Sequence, residues 1–156
     1  MRVAFNAEGA LKPQIGVYSF GARFKEIPKA QFEFDVSKLR DPQGQKQFAG
    51  AAGWDPAVRD WVKADPRIAG IINDCRLWAE DLLKERPQGG TNPSAISCWT
   101  SFSFRDFHGK WAAPAVAELV ADALSKDGWR VSVHHYGQSL NARKETTRGG
   151  RISGRL

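Results

Sequence analysis

The stretch AISCWTSFSFRDFHGKWAAPAVAELVADALSKDGWRVSVHH, residues 95–135, decides the fold. Aromatic and polar residues alternate up to Arg105, which predicts a strand, and apolar residues spaced three and four apart then predict a helix that ends at Asp127-Gly128. From Trp129 the pattern alternates again and predicts a second strand. A strand, a crossover helix and a strand form a βαβ unit, so we expect an α/β domain with a mostly parallel sheet flanked by helices.

The rest of the body fits this architecture. Residues 14–24 predict another strand, and residues 31–36 alternate as in a half-buried strand. Asp55-Pro56 and Asp65-Pro66 each place an N-cap carboxylate before a proline, which predicts two helix starts. The second of these helices carries an apolar stripe from Ile68 to Leu83, which indicates one buried face.

Length and composition bound the class of protein. A chain of 156 residues with 42% hydrophobic and 26% charged residues predicts one globular domain. No apolar run approaches the ~18 residues of a membrane span, and no signal-peptide core is found, so we expect a cytoplasmic protein without membrane contact. Cys75 and Cys98 fit reduced core residues. Because the cysteines lack metal-ligand spacing and only three histidines occur, we expect no metal and no cofactor.

The positive charge is concentrated at one end. The sequence has 23 basic and 17 acidic residues, a net charge of +6, and residues 137–156 supply +4 of it against the single acid Glu145. We therefore expect residues 1–136 to form the domain and residues 137–156 a flexible basic extension, either solvated or in contact with nucleic-acid phosphates. Its basic residues are Arg143, Lys144, Arg148, Arg151 and Arg155.

The turn between the strand and the helix of the βαβ unit is the leading candidate site. Ligands of parallel α/β sheets bind beyond the carboxyl ends of the strands. Backbone N–H groups at the amino end of a helix attract anions, and Lys110 adds a positive charge there. Gly109 permits close approach of a ligand, His108 can donate a hydrogen bond, and Trp111 is a candidate for ligand contact. The alternative is a tight turn with an exposed lysine.

Other residues are expected at the same sheet edge. Ser19 and Gly21 end one predicted strand and are expected to line the same cleft. His135 ends another strand, where it either approaches the turn or is a histidine with local hydrogen bonds. His135 and the preceding histidine point to opposite faces of a strand and do not form a joint metal site. The turn is not a nucleotide P-loop, because Phe104 and Trp111 stand where that motif requires glycine and Ser or Thr.

Several segments together resemble the C-terminal domain of the RapZ family of RNase adapter proteins. They are Ser19–Gly21, Phe32–Val36, Leu39–Pro42, Gly53–Val58, Gly109-Lys110 and Pro114–Leu119, and the resemblance covers residues 14–136. It implies an α/β domain that binds RNA and senses a phosphorylated sugar. The family loop Cys-Thr-Gly-Gly-Lys-His-Arg-Ser aligns with Asp106–Ala113, which retains one glycine and the lysine but has Trp111-Ala112 in place of His-Arg.

These observations lead to three functional hypotheses. The first is a non-catalytic regulatory domain that binds a phosphorylated small molecule, an amino-sugar phosphate being one candidate, or another anion at the turn; RNA is a second candidate partner. The second is an enzyme acting on phosphate esters or nucleotides, in which Asp106 or His108 serves as acid or base beside Lys110. The third is a structural interaction domain with a degenerate pocket.

Overall fold

The computed structural model describes residues 14–23, 28–39, 46–48, 50–85, 98–136 and 145–148. The strands are β1 (Gln14–Gly21), β2 (Phe32–Asp35), β3 (Cys98–Asp106), β4 (Arg130–His135) and β5 (Glu145–Arg148). The helices are α1 (Pro56–Lys63), α2 (Arg67–Glu85) and α3 (Ala112–Lys126), and a short 3-10 turn covers Lys46–Phe48. The predicted α/β class is confirmed.

The strands form one sheet in the order β2-β3-β1-β4-β5. Strands β2, β3, β1 and β4 run parallel, and β5 runs antiparallel to β4, so the predicted mostly parallel sheet is confirmed. In the register of the central strand, Ser19 lies between Phe104 of β3 and His135 of β4. The carboxyl ends of β1, β3 and β4 therefore meet at one edge.

One apolar core lies between the sheet and the helices. Val17, Phe102 and Val133 occupy neighbouring register positions on β1, β3 and β4, and all three are fully buried. Helix α3 contacts all three of these strands, while α1 and α2 pack against α3. Many of the buried side chains of α3 are alanine and valine, which let the helix approach the sheet closely. This packing fixes the amino end of α3 beside the carboxyl ends of the strands.

The two predicted helix starts use their aspartates differently. Asp65 caps α2, because its Oδ1 accepts a hydrogen bond of 2.9 Å from the N–H of Arg67. Asp55 does not cap α1 with its side chain. Its Oδ2 accepts a hydrogen bond of 2.8 Å from the N–H of Ala52, so it fastens the loop before the helix. The predicted start of α1 is confirmed, and the predicted capping role of Asp55 is wrong.

The basic segment 137–156 contains a strand. Of this segment the structure describes Glu145–Arg148 alone, and these residues form β5. Thr146 and Thr147 stand in register with Val133 and Ser132 of β4. These four residues therefore belong to the sheet and not to a flexible extension, because β-branched threonines favour strands and the edge of β4 supplies backbone partners. Arg143, Lys144, Arg151 and Arg155 lie outside the described residues.

Cys75 is a free, fully buried cysteine of α2, in agreement with the prediction of a reduced core residue. Burial, together with the neighbouring charge of Asp74, raises the pKa of its thiol. The thiol is therefore unreactive in the folded protein. Among the described residues, none of the helices is both long and apolar enough to span a bilayer.

Candidate functional site at the carboxyl edge of the sheet

The segment between β3 and α3, residues 106–111, is tied to the end of the central strand. We call this segment the β3–α3 turn. The N–H of Ala22 donates to the carbonyl of Asp106 at 2.7 Å, and the N–H of Arg23 donates to the carbonyl of Phe107 at 3.2 Å. These bonds extend the pairing of β1 with β3 beyond the sheet. The path of the turn is therefore fixed by the backbone of β1.

Two glycines allow this close contact. Gly109 has a φ of +70°, a conformation that L side chains rarely adopt. A Cβ built on Gly109 would lie 2.5 Å from the nitrogen of Gly21, and one built on Gly21 would lie 2.5 Å from the carbonyl carbon of His108. Both distances are too short for real atoms. Both positions therefore require glycine for the contact between β1 and the turn.

Asp106 holds the turn in shape with its side chain. One carboxylate oxygen accepts a hydrogen bond from the N–H of Gly109, and the other accepts one of 2.9 Å from the N–H of Ala113. Trp111 occupies the N-cap position of α3 without a capping side-chain bond, so Asp106 supplies the cap from five residues upstream. A negative charge therefore already stands at the positive end of the helix.

Lys110 contrasts with the arginines of the body. Its ammonium lies 4.7 Å from the centre of the Trp111 ring, and no acidic side chain pairs with it in the described part of the chain. Four arginines, in contrast, form ion pairs with acids: Arg59 with Asp122, Arg67 with Asp65, Arg76 with Asp127, and Arg105 with Asp35. The other lysines whose side chains the structure describes also lack an acidic partner, so Lys110 is distinguished by its place at the amino end of α3 and by its contact with the Trp111 ring.

Aromatic rings surround this lysine. The His108 ring lies edge-on to Phe107 at 4.9 Å and to Trp111 at 6.4 Å between centroids. Phe107 is 59% exposed. Trp111 is half-buried against the core, and its Nε1 has no hydrogen-bond partner among the described residues. The turn thus presents a cation and an aromatic surface together.

Directly behind the turn, three buried polar side chains form a hydrogen-bonded series that we call the Ser-His-Glu network. The Oγ of Ser19 lies 2.7 Å from Nδ1 of His135, and Nε2 of His135 lies 2.7 Å from Oε2 of Glu118. Ser19 and His135 have no exposed surface, and Glu118 is 1% exposed. The network joins β1, β4 and α3 inside the core.

Trp54 packs against the Ser-His-Glu network. The Trp54 ring lies 5.2 Å from the His135 ring, tilted by 31°. Its neighbour Gly53 donates its N–H to the carbonyl of Lys110 at 2.8 Å. The loop before α1 therefore packs on both the Ser-His-Glu network and the β3–α3 turn. Because both nitrogens of His135 are engaged inside the protein, the ring has no surface to offer a ligand.

The structure divides the predicted site residues into two groups. His108, Gly109, Lys110 and Trp111 come together with Asp106 in the β3–α3 turn, whereas Ser19 and His135 meet each other in the buried network. Gly21 serves as the contact between strand and turn. Within the described residues, no group of three or more His, Cys, Asp or Glu side chains is placed to hold a metal ion.

Sequence reasoning missed three contributors to this region: Glu118, Phe107 and the Gly53-Trp54 pair. Glu118 had a signal, since it is the single charged residue within an apolar stretch from Ala112 to Ala121. A carboxylate on a buried helix face requires a partner. Phe107 and the Gly53-Trp54 pair had no such signal, because residues in irregular segments follow no periodic pattern.

Comparison with known families matches most of the chain. The model of the RapZ C-terminal domain matches residues 13–139, which include the β3–α3 turn and the Ser-His-Glu network. The resemblance inferred from the ordered segments of the sequence is thereby confirmed.

Curated bacterial proteins match over nearly the same region. A nucleotide-binding protein of Cereibacter sphaeroides is 29% identical over 132 residues, which cover 84% of this chain and 41% of the relative. A nucleotide-binding protein of Rhodospirillum rubrum is 29% identical, over 86% of this chain and 42% of the relative. One of Ruegeria pomeroyi is also 29% identical, over 92% of this chain and 48% of the relative. The chain therefore spans less than half the length of these relatives.

Proposed function

The chain belongs to the RapZ C-terminal domain family, and we propose that it is a regulatory binding domain that holds a phosphorylated small molecule at the β3–α3 turn. The relatives are called nucleotide-binding proteins, which is consistent with a phosphate-bearing ligand. Nucleotides and amino-sugar phosphates are both candidates. The observation that carries the proposal is the position of Lys110, a lysine without an acidic partner among the described residues, two residues before the start of α3.

The placement of Lys110 is unfavourable for the protein alone. A cation at the amino end of a helix opposes the helix dipole, and the cost is typically about 0.3–1 kcal/mol. At the start of α2, in contrast, the comparable charge of Arg67 is paired with Asp65. A bound phosphate would interact favourably with Lys110, whereas the helix end itself is already capped by the Asp106 carboxylate.

Asp106 limits how an anion can bind. The N–H groups of Gly109 and Ala113 already donate to its carboxylate, so they are not open to a ligand. We propose that Asp106 preorganises the turn and that the phosphate is held by Lys110 and by the ring of His108. This role for Asp106 is structural and makes the hypothesis of acid–base catalysis by Asp106 the weaker one.

The experiment is a calorimetric titration of the protein with inorganic phosphate, ribose 5-phosphate and glucosamine 6-phosphate. Lys110→Ala should weaken the binding of whichever probes bind by about 10- to 150-fold, the loss of one charged hydrogen-bonding partner. The matched control is Lys126→Ala, an exposed lysine at the other end of α3. Equal affinities of Lys110→Ala and the unaltered protein would refute the proposal. Magnesium-dependent hydrolysis of a phosphate ester would instead favour the hypothesis that the protein is an enzyme acting on phosphate esters.

RNA is the second partner that we propose, through the basic residues of segment 137–156. Strand β5 supports this, because it joins part of the basic segment to the edge of the folded domain. Replacing Arg151 and Arg155 with alanine should lower the slope of log affinity against log salt by about 0.7 per lost contact with single-stranded RNA. An unchanged slope would exclude these two residues from the interface. The reduced, buried Cys75 fits the cytoplasmic location that we propose.

A further inference from the structure

The most exposed aromatic side chain in the described residues lies in the β3–α3 turn. Phe107 is 59% exposed, whereas Trp78, the other strongly exposed ring, is covered in part by Phe32 at 4.2 Å. The carbonyl of Phe107 accepts a hydrogen bond from the N–H of Arg23. The backbone of Phe107 is therefore tied to the end of β1, while its ring lies largely in solvent.

The surroundings of Phe107 are suited to a ligand that is both planar and anionic. The His108 ring packs on Phe107 in a T-shaped arrangement, and the larger part of the Phe107 side chain remains exposed for another group. Lys110 follows three residues later, so their Cα atoms are at most about 11 Å apart. A phosphate at Lys110 and a flat ring on Phe107 are therefore within reach of one small molecule.

We propose that Phe107 stacks the nucleobase of a phosphorylated nucleoside whose phosphate is held at Lys110. This inference rests on the anion site proposed above and names its ligand class. Every nucleobase offers a π face to an aromatic ring, and such stacking is independent of base sequence. A sugar phosphate without a base would leave Phe107 in water. The same chemistry is present in a free mononucleotide and in one unit of single-stranded RNA.

The test compares AMP with ribose 5-phosphate, which carries the same phosphate and sugar without the base. The unaltered protein should bind AMP about 5- to 150-fold more tightly, the range expected for one stacked base. Phe107→Ala should reduce AMP binding to the level of ribose 5-phosphate and leave ribose 5-phosphate unaffected. Phe107→Trp should restore AMP binding. Leu77→Ala, which removes an exposed apolar side chain from α2, should change neither affinity.

The outcomes separate this inference from the proposed function. If ribose 5-phosphate binds through Lys110 but AMP binds no more tightly, or if Phe107→Ala binds AMP normally, the nucleobase assignment is wrong and the anion site stands. If neither ligand binds, both proposals are wrong. A short oligoadenylate that binds more tightly than AMP, with a loss on Phe107→Ala, would support stacking and identify RNA as the source of the base.

Discussion

The Ser-His-Glu network and the β3–α3 turn lie side by side at the carboxyl edge of one sheet, yet they use similar side chains in opposite ways. In the network, His135 is fully buried and both of its ring nitrogens contact protein groups. In the turn, His108 is partly exposed and Lys110 has no acidic partner among the described residues. A histidine or a charged side chain at this edge therefore does not by itself indicate ligand binding. What matters is whether its polar atoms already have partners within the protein.

This difference assigns separate tasks to the two regions. Burying a carboxylate and an imidazole is costly unless each is hydrogen-bonded, so the network contributes to folding and fixes α3 against β1 and β4. A residue whose charge is left open toward solvent contributes little to folding and is available to a ligand. Variants of the network should therefore change stability, and variants of the turn should change binding.

The largest effect is expected at Glu118. Glu118→Ala leaves Nε2 of the buried His135 without its partner and should lower the free energy of unfolding by about 3–5 kcal/mol, measured by urea denaturation. Glu118→Gln keeps an oxygen that can accept the hydrogen bond and should lose less. A loss below about 1 kcal/mol for the alanine variant would show that the network does not hold the fold together.

Gly109 tests the contact that joins the two regions. Gly109→Ala combines a positive φ with a Cβ 2.5 Å from the nitrogen of Gly21. We therefore expect it to lower the free energy of unfolding by more than about 2 kcal/mol and to weaken phosphate binding. The matched control is Gly50→Ala, which has a φ of +82° and open space around its Cβ. That variant carries the backbone strain alone, about 1–2 kcal/mol. Equal losses in thermal unfolding would mean that the turn gives way to the added methyl.

The difference between the network and the turn predicts almost no change in stability when Lys110 is replaced. Lys110→Ala should change the free energy of unfolding by less than about 0.5 kcal/mol, because the side chain forms no ion pair among the described residues and opposes the helix dipole. Differential scanning calorimetry without ligand measures this directly. A clear destabilisation would assign Lys110 to the fold and remove the argument that its charge awaits a ligand.

Asp35, at the edge strand β2, gives a small effect on stability that depends on pH. Hydrogen bonds from Ser37, followed by the nearby Arg105 guanidinium, hold the pKa of this carboxyl below its ordinary value. The ionised carboxylate therefore contributes fully to the free energy of unfolding above the pKa of the unfolded state. This contribution is lost as the pH falls through the pKa of the folded state. Asp35→Asn should lower the free energy of unfolding by less than about 1 kcal/mol at pH 7, and this difference should shrink once the pH falls below the unfolded pKa of about 3.9 and vanish below the lower folded pKa. A difference that persists at pH 2 would exclude the charge as its cause.

The fold was predictable where the sequence is periodic. Alternation at Phe102 and Phe104 and the three-and-four spacing of α3 gave the βαβ unit, and the two Asp-Pro pairs gave the helix starts. The short strand β5 was missed, because four residues within a basic, glycine-rich segment carry too little pattern. Its pairing depends on the open edge of β4, which is a tertiary property.

The site was predictable in position but not in its internal partners. The rule for parallel sheets led to the β3–α3 turn, and the same rule brought Ser19 and His135 to one edge. Whether a side chain there is free or satisfied depends on residues far away in sequence, such as Glu118 behind His135 and Gly53 beside Lys110. Such contacts are decided by packing, which a local pattern does not encode.

We propose that the β3–α3 turn binds phosphate, whereas the Ser-His-Glu network behind it does not contact the ligand. Amide chemical shifts recorded by NMR during titration with inorganic phosphate test this residue by residue. The account predicts that the largest shifts occur at residues 108–112, that they vanish in Lys110→Ala, and that they persist in Lys126→Ala. Phosphate-dependent shifts that bypass residues 108–112, or that remain in Lys110→Ala, would contradict it.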